Sequence, residues 1–147
     1  MKKKQLESFL QQLETFDRPR LDLEQYATSP QLGSSILEAI NEEIGLNEDT
    51  LLADLGCGSG ILMIGAARIG AGLSVGFDID LKALSICQNN IQESGLQESC
   101  ELLQVDVCAC SPTNMRTLSR FEGKFDVVVT NPPFGTKKQF RHRCEVH

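Results

Sequence analysis

The stretch "TLLADLGCGSGILMIGAARIG", residues 50–70, decides the fold. Its first part, "TLLAD", is a short apolar run of strand length that ends at Asp54. Gly56, Gly58 and Gly60 follow within five residues. Glycines let a backbone turn sharply and let a ligand approach it closely. The apolar run Ile61–Ile69 then reads as a buried helix, ended by Gly70 and Gly72. A strand, a glycine turn and a helix in that order open a parallel α/β sheet. The helix also points its free amides at whatever lies beyond the turn.

The rest of the chain extends this pattern. "LSVGFD" reads as the second strand, and "LKALSICQNNIQESG" as a helix with Ala83, Leu84, Cys87 and Ile91 inward and Gly95 at its end. "CELLQVD" reads as the third strand and "FDVVV" as the fourth. Such alternation predicts a parallel sheet with helices on both faces. Upstream, Leu6, Phe9, Leu10 and Leu13 have helical spacing over residues 5–16. "TSPQLGSSILEAINEEIG" predicts a second helix capped by Ser29, with Pro30 in its first turn and Leu32, Ile36, Leu37, Ile40 and Ile44 as its stripe. The expected organisation is one unit over residues 1–136: a helical lid, 1–49, on an α/β core, 50–136. Residues 137–147 are expected to be an unstructured tail.

Three acidic residues fall at successive strand ends. Asp54 closes the first strand, Asp78 the second and Asp106 the third. The carboxyl edge of such a sheet is its ligand edge. Asp78 suits two ribose hydroxyls and Asp106 an adenine amine, whereas Asp80 stands where a helix cap is needed, directly before "LKAL". A glycine turn alone is a weak signal, since a plain strand-to-helix corner also explains it; the three acids add weight to a ligand site. The glycines read G-x-G-x-G rather than the G-x-G-x-x-G that accommodates a pyrophosphate. Asp54, ahead of the turn, suits a cationic amine. These features favour S-adenosylmethionine over a dinucleotide.

The net charge is −6, and Lys137, Lys138, Arg141 and Arg143 against Glu145 put +3 in the last 11 residues, leaving −9 on residues 1–136. That balance argues against tight unaided binding to RNA or DNA. No apolar run has the length of a membrane span, and no apolar signal core follows the N-terminal lysines, so an intracellular protein with no membrane partner is expected. Cys57, Cys87, Cys100, Cys108, Cys110 and Cys144 are accordingly read as reduced thiols. His142, Cys144 and His147 with Cys108 and Cys110 match no common zinc spacing, and no metal site is expected.

After the fourth strand stands Asn131-Pro132-Pro133-Phe134. An amine on a purine ring is a poor nucleophile because its lone pair is delocalised into the ring. Two acceptors, the Asn131 side-chain oxygen and the Pro132 carbonyl, can draw its hydrogens out of plane. Phe134 offers a face for the extracted base. Catalysis would then rest on positioning.

"DLGCGSG", "VGFDID", "QVDV" and "VVVTNPPFG" resemble the motifs of class I (Rossmann-like) methyltransferases that modify adenine N6. With "LEQYATSP" and "NPPFGTK", the chain resembles in particular the methyltransferase-like protein five family, over about Leu6 to Lys137. Ala27 replaces that family's usual proline in the first of these segments.

The resemblance implies methyl transfer from S-adenosylmethionine to one adenosine of small-subunit ribosomal RNA, in the nucleus and cytoplasm. It also implies a small zinc-binding activator subunit on the edge of the third strand. Gln25 and Thr28 would meet the cofactor from the lid, with Gly56, Ser59 and Ile61 at its methionine end. Asp78 would hold the ribose, Asp106 and Val107 the adenine, and Asn131, Pro132, Pro133 and Phe134 the target base. The family continues beyond this turn with further strands, whereas "KKQFRHRCEVH" resembles nothing in it. A shortened, incomplete sheet is therefore expected. Two other readings stand beside the first: a non-catalytic product that binds cofactor or activator, and a protein glutamine or DNA adenine methyltransferase.

Overall fold

The computed structural model describes residues 1–15, 28–107 and 112–131. Gln25, the Pro132-Pro133-Phe134 segment, Cys108, Cys110 and residues 137–147 lie outside the described residues. The elements run α1 (Lys3–Gln11), α2 (Pro30–Ile44), β1 (Leu51–Leu55), α3 (Ile61–Ile69), β2 (Leu73–Asp78), α4 (Leu81–Ser94), β3 (Cys100–Gln104), α5 (Pro112–Ser119) and β4 (Val127–Thr130). The four strands form one sheet in the order β3-β2-β1-β4, and every pairing is parallel.

Local chemistry accounts for the main boundaries. Ser29 Oγ accepts a hydrogen bond from the Leu32 amide at 3.1 Å, and Pro30 occupies the first helical turn of α2. Asp80 Oδ1 accepts from the Lys82 amide at 3.0 Å at the head of α4. Gly95, left-handed at φ +69°, ends that helix. Both caps were predicted, as were the strand ends to within two residues.

The sheet carries apolar clusters on both faces. One unites Leu6 and Leu10 of α1, Leu37 of α2, most of α3, and Leu84, Cys87 and Ile91 of α4 with Leu52 and Val129 of the sheet. The N-terminal helices therefore share a core with the first βαβ unit. The other face holds Ala53, Val75, Phe77 and Val105, with Leu118 of α5 and Phe121 and Phe125 packed on them. Phe77 meets both phenyl rings edge-on, at centroid distances of 5.5 and 6.2 Å.

Two expectations need correction. Leu32 and Ile44, placed on the buried stripe of α2, are 54% and 53% exposed. The buried face of α2 centres instead on Gly33, Ser34 and Leu37. Gly33 brings the helix so close that a Cβ there would stand 2.9 Å from Ile61 Cγ2. Leu32 lies about 140° round the helix from Leu37, and Ile44 is its last residue. The second correction is α5, which the apolar spacing missed. Its Met115 is exposed, and Pro112 at its start repeats the Ser-Pro opening of α2.

Candidate functional site

The glycine turn joins β1 to α3 through backbone that only glycine adopts easily: Gly56, Gly58 and Gly60 have φ of +76°, +57° and +95°. The amides of Gly56 and Cys57 both donate to the Phe77 carbonyl, at 2.7 and 3.0 Å, and tie the turn to the end of β2. A Cβ on Gly60 would stand 2.5 Å from Cys87 Sγ, whereas one on Gly56 would meet nothing within 4 Å. The turn is thus packed on its inner side and open on its outer side.

Asp78, the last residue of β2, is half-buried beside this opening. Its Oδ2 accepts from the Gly58 amide at 2.9 Å and its Oδ1 from the Asp80 amide at 3.0 Å. Burial raises its pKa, and the amides of Asp80 and Gly58 work against that rise. A carboxylate has about four acceptor sites, so these two bonds leave capacity for hydroxyl donors. Asp54 is 2% exposed, and its Oδ2 accepts from the Met63 amide at 3.2 Å, in the first turn of α3. Burial dominates there and pushes its carboxyl up to about 7, despite the Met63 amide, with the Asp78 charge adding to the rise.

The remaining expected residues divide. Asp106 and Val107 are half-buried just past β3, and Val107 packs on the Phe77 cluster. Ser59 and Ile61 are 4% and 3% exposed. The Ile61 side chain lies in the core, so what Ile61 offers at the turn is its backbone amide, one of the unsatisfied donors of a helix start. Asn131 follows β4, and the register Leu55↔Thr130 sets it beside the start of the glycine turn. Its Nδ2 donates to Thr28 Oγ1 at 3.2 Å. Glycine turn, Asp78, Asp106 and Asn131 thus share the carboxyl edge of the sheet. Sequence reasoning missed Asn90 of α4, which is 1% exposed and donates to the Ser59 carbonyl at 2.9 Å. The signal was an amide on the otherwise apolar stripe of that helix. Among the described residues no group of acidic, histidine or cysteine side chains could hold a metal, and no helix is long and apolar enough to cross a membrane.

A parallel sheet ordered β3-β2-β1-β4, with a glycine turn after β1 and an acid closing β2, defines a class I, Rossmann-like methyltransferase fold. Residues 33–132 match the family model described as ribosomal protein L11 methyltransferase (PrmA), and the chain belongs to that family. The resemblance to the methyltransferase-like protein five family also holds. The chain is 47% identical to the rRNA N(6)-adenosine-methyltransferase METTL5 of Danio rerio, over 93% of this chain and 62% of that protein. It spans about three-fifths of the length of the curated relatives it matches first. A Pyrococcus horikoshii protein, described as a proposed RNA methyltransferase, superimposes with a TM-score of 0.78 at 28% identity, over 96% of this chain and 65% of its own. The magnesium protoporphyrin IX methyltransferase of Synechocystis with bound S-adenosylmethionine superimposes at 0.54, with 27% identity, over 68% of this chain and 42% of its own.

Proposed function

We propose that this chain carries the cofactor-binding half of an S-adenosylmethionine-dependent methyltransferase that acts on adenosine N6 in small-subunit ribosomal RNA. One observation carries the reading: Asn131 stands at the end of β4, the strand beside β1, whose end opens the glycine turn. A group held by Asn131 and a donor held by the turn would then be neighbours. The names of the animal relatives supply the substrate class.

The residues fit the cofactor. Open space beyond Gly56, the first amides of α3 and the spare acceptor sites of Asp78 suit an adenosyl amino acid. When bound, it supplies a methyl group on a positively charged sulfur. Asp78 would hold the ribose hydroxyls. Ionised Asp54 would favour the cationic end. Asn131 donates through Nδ2 to Thr28, which leaves Oδ1 as the acceptor for a hydrogen of the N6 amine. Drawing that hydrogen out of plane would free the nitrogen lone pair to take the methyl group, the carbon–sulfur electron pair staying with the donor and the extra N6 proton leaving to solvent.

A small zinc-binding activator subunit would pair with β3, whose outer edge carries no strand among the described residues. Such a partner would offset the acidic balance of the chain toward RNA. The site of action would be the nucleus and cytoplasm. A second reading, methylation of a ribosomal protein, is favoured by the description of the family model. Labelled cofactor offered with ribosomal RNA and ribosomal protein together, with and without activator, separates the two. Label in N6-methyladenosine supports the RNA reading, and label confined to protein overturns it. Label on neither overturns the reading that this chain is itself an enzyme.

A further inference from the structure

Asn90 uses both ends of its amide. Nδ2 donates to the carbonyls of Ser59 and Glu14, both at 2.9 Å, and Oδ1 accepts from the Glu14 amide at 2.8 Å. Two donors and one acceptor are thereby matched in a position 1% exposed, where an unmatched amide would be costly. Towards Glu14 it pairs with both the N–H and the C=O of one residue, as a neighbouring strand would. The adjacent Asn89 reaches the Glu14 carboxylate through Nδ2 at 3.3 Å.

The bond to Ser59 has a geometric consequence. A peptide unit is planar and trans, so fixing the Ser59 carbonyl also fixes the Gly60 N–H on the opposite side. That N–H donates to the Cys57 carbonyl at 2.9 Å, which closes the glycine turn. Asn90 therefore sets the shape of the turn from behind. The same side chain holds Glu14, three residues past the end of α1, by both its N–H and its C=O.

We propose that Asn90 is a positioning residue that couples the N-terminal segment to the glycine turn and holds the turn in its cofactor-binding shape. The proposal rests on the cofactor reading above. Asn90→Ala should weaken S-adenosylmethionine binding tenfold or more by calorimetry, at a temperature where the protein is folded. Leu46→Ala removes a core side chain of the segment that packs at Gly70, the end of α3 opposite the turn, and serves as the stability control; it should change affinity less than threefold. The amide resonances of Gly58 and Gly60 should move in cofactor-free Asn90→Ala and stay in place in Leu46→Ala. Asn90→Ser, which opens room for a water molecule, should give an intermediate affinity and keeps the test open if the alanine variant does not fold. Affinity that tracks melting temperature identically in all three variants, or unmoved glycine resonances, would overturn the proposal. A wild-type chain that binds no cofactor defeats the cofactor reading instead, while the resonances still report on Asn90.

Discussion

Asn131 and Thr28, 103 residues apart in sequence, are joined by a hydrogen bond of 3.2 Å from the Asn131 Nδ2 to the Thr28 Oγ1. The residue read as gripping the target base is thus oriented by the residue read as touching the cofactor. Thr28→Val keeps the shape and removes the acceptor. A neutral hydrogen bond contributes about 0.5–1.5 kcal/mol, so turnover should fall roughly two- to tenfold with the cofactor KM unchanged. Thr28→Ser should restore it. A rise in cofactor KM at constant kcat would assign Thr28 to the cofactor instead.

Asn131→Ala should abolish methyl transfer and spare cofactor affinity, because the proposed mechanism sets this side chain against the acceptor and not the donor. Calorimetry alongside a methylation assay reads both quantities. Methylation at the wild-type rate would remove Asn131 from the mechanism.

Asp78→Ala should weaken S-adenosylmethionine binding by tenfold or more, since hydrogen bonds to a charged group contribute roughly 1.5–3 kcal/mol. Asp78 also holds the amides of Gly58 and Asp80, so the same variant should melt at a lower temperature. Unchanged affinity would exclude Asp78 from the ribose site.

On the proposed cofactor reading, Asp54 should make cofactor binding pH-dependent. Its carboxyl titrates at about 7 in the folded chain against 3.8 ordinarily. The neutral acid is therefore favoured by folding. Its contribution to stability is complete below pH 3.8 and is lost as pH rises to about 7. A cationic ligand needs the ionised form, so affinity should increase as pH rises through 7, with proton release on binding at that pH. Asp54→Asn should flatten both profiles, and identical profiles for variant and wild type would refute the assignment.

Gly60→Ala should destabilise the protein. A left-handed backbone costs an ordinary residue roughly 1–2 kcal/mol, and the new methyl meets Cys87 Sγ at 2.5 Å. Overpacking of this kind adds roughly 1–3 kcal/mol, and urea unfolding measures the sum. Gly56→Ala has the strained φ without the clash and should cost less.

The sequence by itself determined the βαβ frame, the caps at Ser29 and Asp80, and the acids at the strand ends. Those depend on interactions within a few residues: glycine at positive φ, an oxygen three or fewer positions before an amide, an apolar run of strand length. It also placed Asn131 just after the fourth strand, and the parallel register of β4 on β1 then set it beside the turn. Only the tertiary structure decided that Asp54 is buried with its carboxylate on the Met63 amide. It alone turned α2 onto Gly33, Ser34 and Leu37, and laid α5 and three phenylalanines on the opposite face. It alone brought Asn90 to Ser59 and Glu14, and Thr28 to Asn131. These pairings close loops of 31 to 103 residues. A hydrogen bond of that span exists only after the core has brought its ends together, and no local periodicity encodes it.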